Sequence, residues 1–155
     1  MKKDARFSPC GRYRYAQWCI WDETKPHVAI IGLNPTRADA VKNNPTINRC
    51  IAFAQSWGYG GVCVANLFAF EAITPAELML AEDPVGPNND QWLLEIAKVA
   101  DVVVAAWGND GSHLGRSAVV KRIIPGLHAL KVNKSGEPAH PLYLKGSLVP
   151  TPLSL

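Results

Sequence analysis

Four apolar runs without polar alternation constrain this chain most: VAIIG (28–32), VCVANLFAF (62–70), DVVVAAWG (101–108) and LHALKV (127–132). A strand with one wet face alternates polar and apolar residues, whereas a strand apolar at successive positions is buried on both faces. The segments between these runs carry a helical period. In NNPTINRCIAFAQSWGYGG, Asn44 can cap, Pro45 takes the first helical position, and Ile47, Ile51, Ala54 and Trp57 form one stripe before a glycine stop. Thr74-Pro75 opens a short helix to about Leu80. Residues 88–100 place Trp92, Ile96, Val99 and Ala100 on one face with Asn88 or Asn89 as cap, and HLGRSAVVKRIIPG reads as a helix ending near Pro125. Buried strands alternating with amphipathic helices predict an α/β fold, a three-layer α/β/α sandwich with a mainly parallel central sheet of about four strands. RYRYAQWCIW (12–21) adds an edge strand or half a hairpin, and the tail from Pro138 reads as ordered loop.

A chain of 155 residues, 48% of them hydrophobic, fits a single domain over 1–155. The opening MKKDARFSPCGRYRY has no apolar run, and no stretch approaches the roughly 18 apolar residues of a membrane span. A cytoplasmic, monomeric protein without a membrane partner is expected. Cys10, Cys19, Cys50 and Cys63 lie far apart with no Cys-x-x-Cys pair, so neither a metal nor another cofactor is expected. The net charge of +3 is unevenly spread. Residues 71–101 hold seven acids against Lys98, while 113–155 set Arg116, Lys121, Arg122, Lys131, Lys134 and Lys145 against Glu137. If the latter share a face, a polyanion would approach there; an ordinary solvated surface is the other reading.

In open α/β sheets, ligands bind beyond the carboxyl ends of the strands. The polar residues expected there are Asn34, Asn66, Trp107 to Asp110, and the segment before His140. Each taken alone reads as a turn residue, and it is the four in register that point to a site. Arg37 and Asp39 either pair on the surface or line the pocket. The Arg12-Tyr13-Arg14-Tyr15 stretch is either an aromatic edge strand or a stacking surface for nucleic acid. DPVGPNND (83–90) reads as a rigid turn ahead of a capped helix, whose N-terminus could receive a phosphate or carboxylate.

GLNPT, VCVANLFAF, DVVVAAWGNDGSHLGRSAVVKRI and HPLYL, in this order and at these intervals, resemble the uracil-DNA glycosylase superfamily over roughly residues 28–146. RYRY, DPVGPNND and HPLYL together also resemble an uncharacterised bacterial and phage domain family. The glycosylase resemblance implies a hydrolase that flips a damaged or modified base out of DNA and cleaves its N-glycosidic bond. Under it, Gly32, Leu33, Asn34 and Pro35 form the water-activating loop, and Asn34 orients the attacking water without being a general base. Thr36 stands where uracil-selective members carry a Tyr that excludes thymine. Asn66 reads the edge of the flipped base, and His140, followed by Pro141, stabilises the departing base. Leu144 occupies the place of the apolar wedge, with Tyr143 beside it. The usual serine of this motif is Leu142, and no aromatic residue is assigned to stack on the base. Asp110 is a second candidate for water activation. Arg116, Lys131, Lys134 and Lys145 are the candidates for gripping the DNA backbone. A non-catalytic module that binds a nucleotide or nucleic acid on the same rim is the alternative.

Overall fold

The computed structural model describes residues 1–35 and 45–153, so Thr36, Arg37, Asp39 and the Asn44 cap lie outside the described residues. The described strands are β1 (Lys2–Phe7), β2 (Arg14–Ile20), β3 (His27–Gly32), β4 (Gly61–Asn66), β5 (Val103–Ala105), β6 (His128–Ala129) and β7 (Thr151–Pro152). The helices are α1 (Pro45–Ser56), α2 (Pro75–Leu80), α3 (Asn89–Val99) and α4 (Arg116–Ile123). A single mixed sheet joins the strands in the order β1-β2-β4-β3-β5-β6-β7.

The four apolar runs supply β3, β4, β5 and β6, which pair parallel to one another. The expected count of about four falls short of the described seven because β1, β2 and β7 extend the sheet by antiparallel pairing. β1, with the sequence KKDARF, has no apolar period, and its partner β2 supplies the register from Lys2 opposite Ile20 to Phe7 opposite Arg14. That pairing corrects the expected edge: β2 is interior, and the exposed, charged β1 is the edge strand. The run 62–70 also stops being strand at Asn66. Beyond it, Leu67 and Phe68 donate to Gly32 O and Leu33 O at 2.9 and 3.0 Å, and Ala69 to Glu71 then pair antiparallel with Arg12 to Arg14.

Successive strand residues point to opposite faces, which divides the core in two. Val28, Ile30, Val62 and Val104 pack with Ile47, Cys50, Ile51, Phe53 and Ala54 of α1. Ala29, Ile31, Cys63, Ala65 and Val103 pack with Leu78 of α2, Leu93 and Ile96 of α3 and Val120 of α4. Burial of each large side chain of this kind stabilises by about 1.5–3 kcal/mol. Helices therefore cover both faces of the parallel strands, as their unbroken apolar sequences require. The helix after β3 packs on one face and the helix after β5 on the other. β3 and β5 are neighbours, so their outgoing connections diverge and open a crevice at the carboxyl end of the sheet. No helix among the described residues is long and apolar enough to cross a membrane.

Candidate functional site

The crevice is a cavity of about 500 Å³, within the roughly 300–1,000 Å³ range of small-molecule sites. Gly32 to Pro35 enter it from the end of β3, Asn66 from the end of β4, and Ala106 to Asp110 from beyond β5. His140 and Pro141 close one side, Thr46, Ile47 and Cys50 of α1 another, and Arg14 of β2 a third. Asn34, Asn66, His140 and Asp110 thus meet in one cavity, although they are spread over more than a hundred residues of sequence.

The amide of Asn34 is oriented by its own loop. Its Nδ2 donates to Pro35 O at 2.9 Å and to Ala72 O at 3.3 Å. Two carbonyl partners require the NH₂ group on that side, which leaves Oδ1 as the acceptor the residue can offer a water.

Asn66 is the last residue of β4, paired with Gly32 in register, and 7% exposed. A Cβ on residue 32 would stand 2.9 Å from Asn66 Oδ1, so glycine there makes room for the Asn66 amide. Arg116 supports this strand end instead of facing solvent. The expected backbone-gripping role does not fit it: the residue is 4% exposed, its Nε donates to Leu67 O at 2.9 Å, and its guanidinium pairs with Asp90. A buried guanidinium needs such partners to be tolerated, and once held by them it does not reach a phosphate at the surface.

His140 stands at the entry of a short 3₁₀ turn, Pro141–Tyr143. Leu142 N–H donates to His140 Nδ1 at 3.2 Å. Burial lowers the His140 pKa below the usual histidine value. A neutral ring that accepts at Nδ1 carries its proton on Nε2, which makes it a hydrogen-bond donor. The loop before it is pinned where Gly108 N–H donates to Pro138 O and Ala139 N–H donates to Lys131 O, at 2.9 and 2.8 Å. Gly108 has φ of 76°, and a Cβ there would come 3.8 Å from the His140 Cβ. On the far side, Arg49 of α1 lies over the Phe53 ring and donates to Pro141 O and Leu144 O.

Leu144 does not project as a wedge: its side chain is half-buried against the α1 core, while the neighbouring Tyr143 is 91% exposed. The apolar α1 face offers Leu144 burial that solvent would deny it. Lys131, Lys134 and Lys145 are exposed and do not line the cavity. Thr36 lies outside the described residues. Cys50 lines the cavity, but burial pushes its thiol up to about 12, so it is a protonated wall residue without nucleophilic character at neutral pH. Asp110 is exposed at the rim and is the carboxylate among the described lining residues.

Sequence reasoning did not single out Arg14, Thr46 and Cys50 as lining residues. The α1 pair was accessible in principle, because positions 46 and 50 flank Ile47 on the stripe that faces the sheet. Arg14 had no local signal; it reaches the cavity only because β2 pairs antiparallel with β4. No curated protein and no solved structure matches the chain. Residues 14–142 match the family model described as a protein of unknown function, DUF1643, so this chain, with its cavity at the carboxyl end of the sheet, belongs to the DUF1643 family.

Proposed function

We propose that the protein is a base-excising hydrolase that breaks the N-glycosidic bond of a damaged or modified base in DNA, on a glycosylase-like α/β/α sandwich. The observation that carries this reading is that His140, whose Nδ1 accepts from Leu142 N–H, shares one cavity with Asn66 and with the Asn34 amide held at its Nδ2. In the reaction, water oxygen bonds to C1′ of the sugar as the bond from C1′ to the base nitrogen breaks, and the base leaves with the bonding electron pair. Asn34 Oδ1 accepts a hydrogen bond from the water and aims it, and Asp110 accepts the proton that the water releases. Asn66 pairs with the edge of the extruded base through one donor and one acceptor. His140 Nε2–H donates to the oxygen on which negative charge collects; loss of such a donor typically costs about 10²- to 10³-fold in rate.

Tyr143, exposed beyond His140-Pro141, takes the wedge or stacking role first read at Leu144. Lys131, Lys134 and Lys145 hold phosphates around the rim. A nucleotide- or nucleic-acid-binding module is the second reading. It is favoured by the amide at position 34, which cannot take a proton from water as a general base, and by the exposure of Asp110.

The test is alkali-induced strand cleavage of single- and double-stranded oligonucleotides carrying uracil, thymine opposite guanine, hypoxanthine, xanthine or hydroxymethylated pyrimidines. Wild-type protein is expected to leave abasic sites on at least one of them, with about 10²- to 10³-fold slower cleavage in His140→Ala and a comparable loss in Asn34→Ala. Salt-dependent binding without any abasic product would replace the hydrolase with the binding module.

A further inference from the structure

The DPVGPNND segment braces the strand end that carries Asn66. Its Pro84 and Val85 carbonyls accept from Phe70 N–H and Ala69 N–H at 3.1 and 3.2 Å, which lays the segment alongside the residues after β4. The expected capping role is not the one used. Asn88 occupies the N-cap position of α3 without a side-chain cap bond. Asn89 is 0% exposed, and its Nδ2 donates to Asn66 O and Leu67 O at 2.9 and 3.0 Å. Leu67 O also receives Arg116 Nε, and the Arg116 guanidinium pairs with Asp90 in the first turn of α3.

Two adjacent carbonyls therefore take three hydrogen bonds from two side chains, while Leu67 N–H and Phe68 N–H are held by the end of β3 and its loop on the other side. The Asn66–Leu67 peptide plane is fixed from both sides. That plane sets ψ of Asn66 and hence the direction in which its side chain leaves the backbone. The clamp has a penalty, since Asn89 Oδ1 is buried without a partner among the described residues. An unpaired buried acceptor is destabilising, and such groups persist where geometry matters more than local stability.

We propose that Asn89, backed by Arg116, is a positioning residue that fixes the Asn66 amide for reading the hydrogen-bonding edge of the ligand. This rests on the base-reading role of Asn66 proposed above. The kinetic test compares kcat/KM on a uracil-containing oligonucleotide and on its N3-methyluracil counterpart, which lacks the edge proton. Wild type, Asn89→Ala, Asn66→Ala and the double variant form a cycle. Asn89→Ala is expected to lose about tenfold in discrimination, mainly through KM, and to have no further effect once Asn66 is alanine. Arg116→Lys, which keeps the charge beside Asp90 but loses Nε, is expected to fall between wild type and Asn89→Ala.

A ligand-free measurement separates this inference from the functional one. The ¹⁵N order parameter of the Asn66 side-chain amide is expected to drop in Asn89→Ala and in Arg116→Lys, but not in Leu93→Ala, which truncates the α3 core elsewhere. An Asn66 amide as ordered in both clamp variants as in wild type overturns the inference, as does an Asn89→Ala effect that persists undiminished in the Asn66→Ala background. A wild-type protein that neither cleaves nor binds any of the oligonucleotides named above defeats the functional reading, and the order parameter then decides the clamp alone.

Discussion

Asn66 and His140 face the same cavity but are held in different ways. Asn66 ends a buried parallel strand, fixed by its register with Gly32 and by donors from α3 and α4. His140 stands outside the sheet, in a loop held by two backbone bonds, its own ring nitrogen and one arginine of α1. The first arrangement resists displacement and the second is open to titration. The amide side of the cavity should therefore respond to changes in packing, and the imidazole side to pH and to the loop that carries it.

The largest effect that would break this contrast is at Gly32. Gly32→Ala places a methyl group 2.9 Å from Asn66 Oδ1, and overpacking of this kind costs about 1–3 kcal/mol. On the proposed function, KM should rise about 10- to 100-fold while the pH profile keeps its shape; an unchanged KM would mean that the Asn66 amide is not at the ligand. Asn34→Asp is next. A carboxylate there would face the carbonyls of Pro35 and Ala72 where an NH₂ group now donates, so kcat should fall about tenfold. A rise in kcat would show instead that the amide stands in for a missing base.

On the imidazole side, the His140 pKa is lowered in the folded protein. The unfolded chain then binds more protons through the interval just below the ordinary histidine value of about 6.5. Stability from this group is present above that value and declines as the pH falls toward the folded pKa. Protonation at Nδ1 also displaces the Leu142 N–H donor. kcat/KM should be flat above about pH 6.5 and fall a few-fold on acidification, and His140→Gln should abolish that limb; an identical limb in His140→Gln would assign it to another group. The smallest effect is at the rim. Lys145→Ala should lower affinity for an oligonucleotide only a few-fold and reduce the slope of log K against log salt by about 0.9 if the residue holds one phosphate. A slope equal to wild type would place Lys145 off the path of the DNA.

The parallel core was legible because burial on both faces leaves a simple trace, a run of apolar residues without alternation, and Asn66, Asn34 and the Gly108 turn lie at or shortly past the ends of β4, β3 and β5. The helix α1 was legible from its stripe, whereas the face read for α3 was shifted: Val99 is exposed and Leu93 is buried. β1 left no such trace: an edge strand with solvent around it has no apolar face to display, and KKDARF becomes a strand only because β2 offers it hydrogen bonds. Leu144 and Tyr143 show the same limit at the site. Adjacent in HPLYL, they differ in exposure because one meets the face of α1 and the other does not.

Local physics written into the sequence determined which segments would be buried and that the Asn34 and Asn66 amides would follow two of the parallel strands. Tertiary structure alone decided that Arg116 and Asn89 would turn inward to the carbonyls at the end of β4, and that Arg14 would reach the cavity from an antiparallel neighbour. Each of these depends on a partner distant in sequence. A polar side chain bonds to whatever donor or acceptor the fold brings within about 3 Å, and nothing in its immediate neighbours specifies that partner.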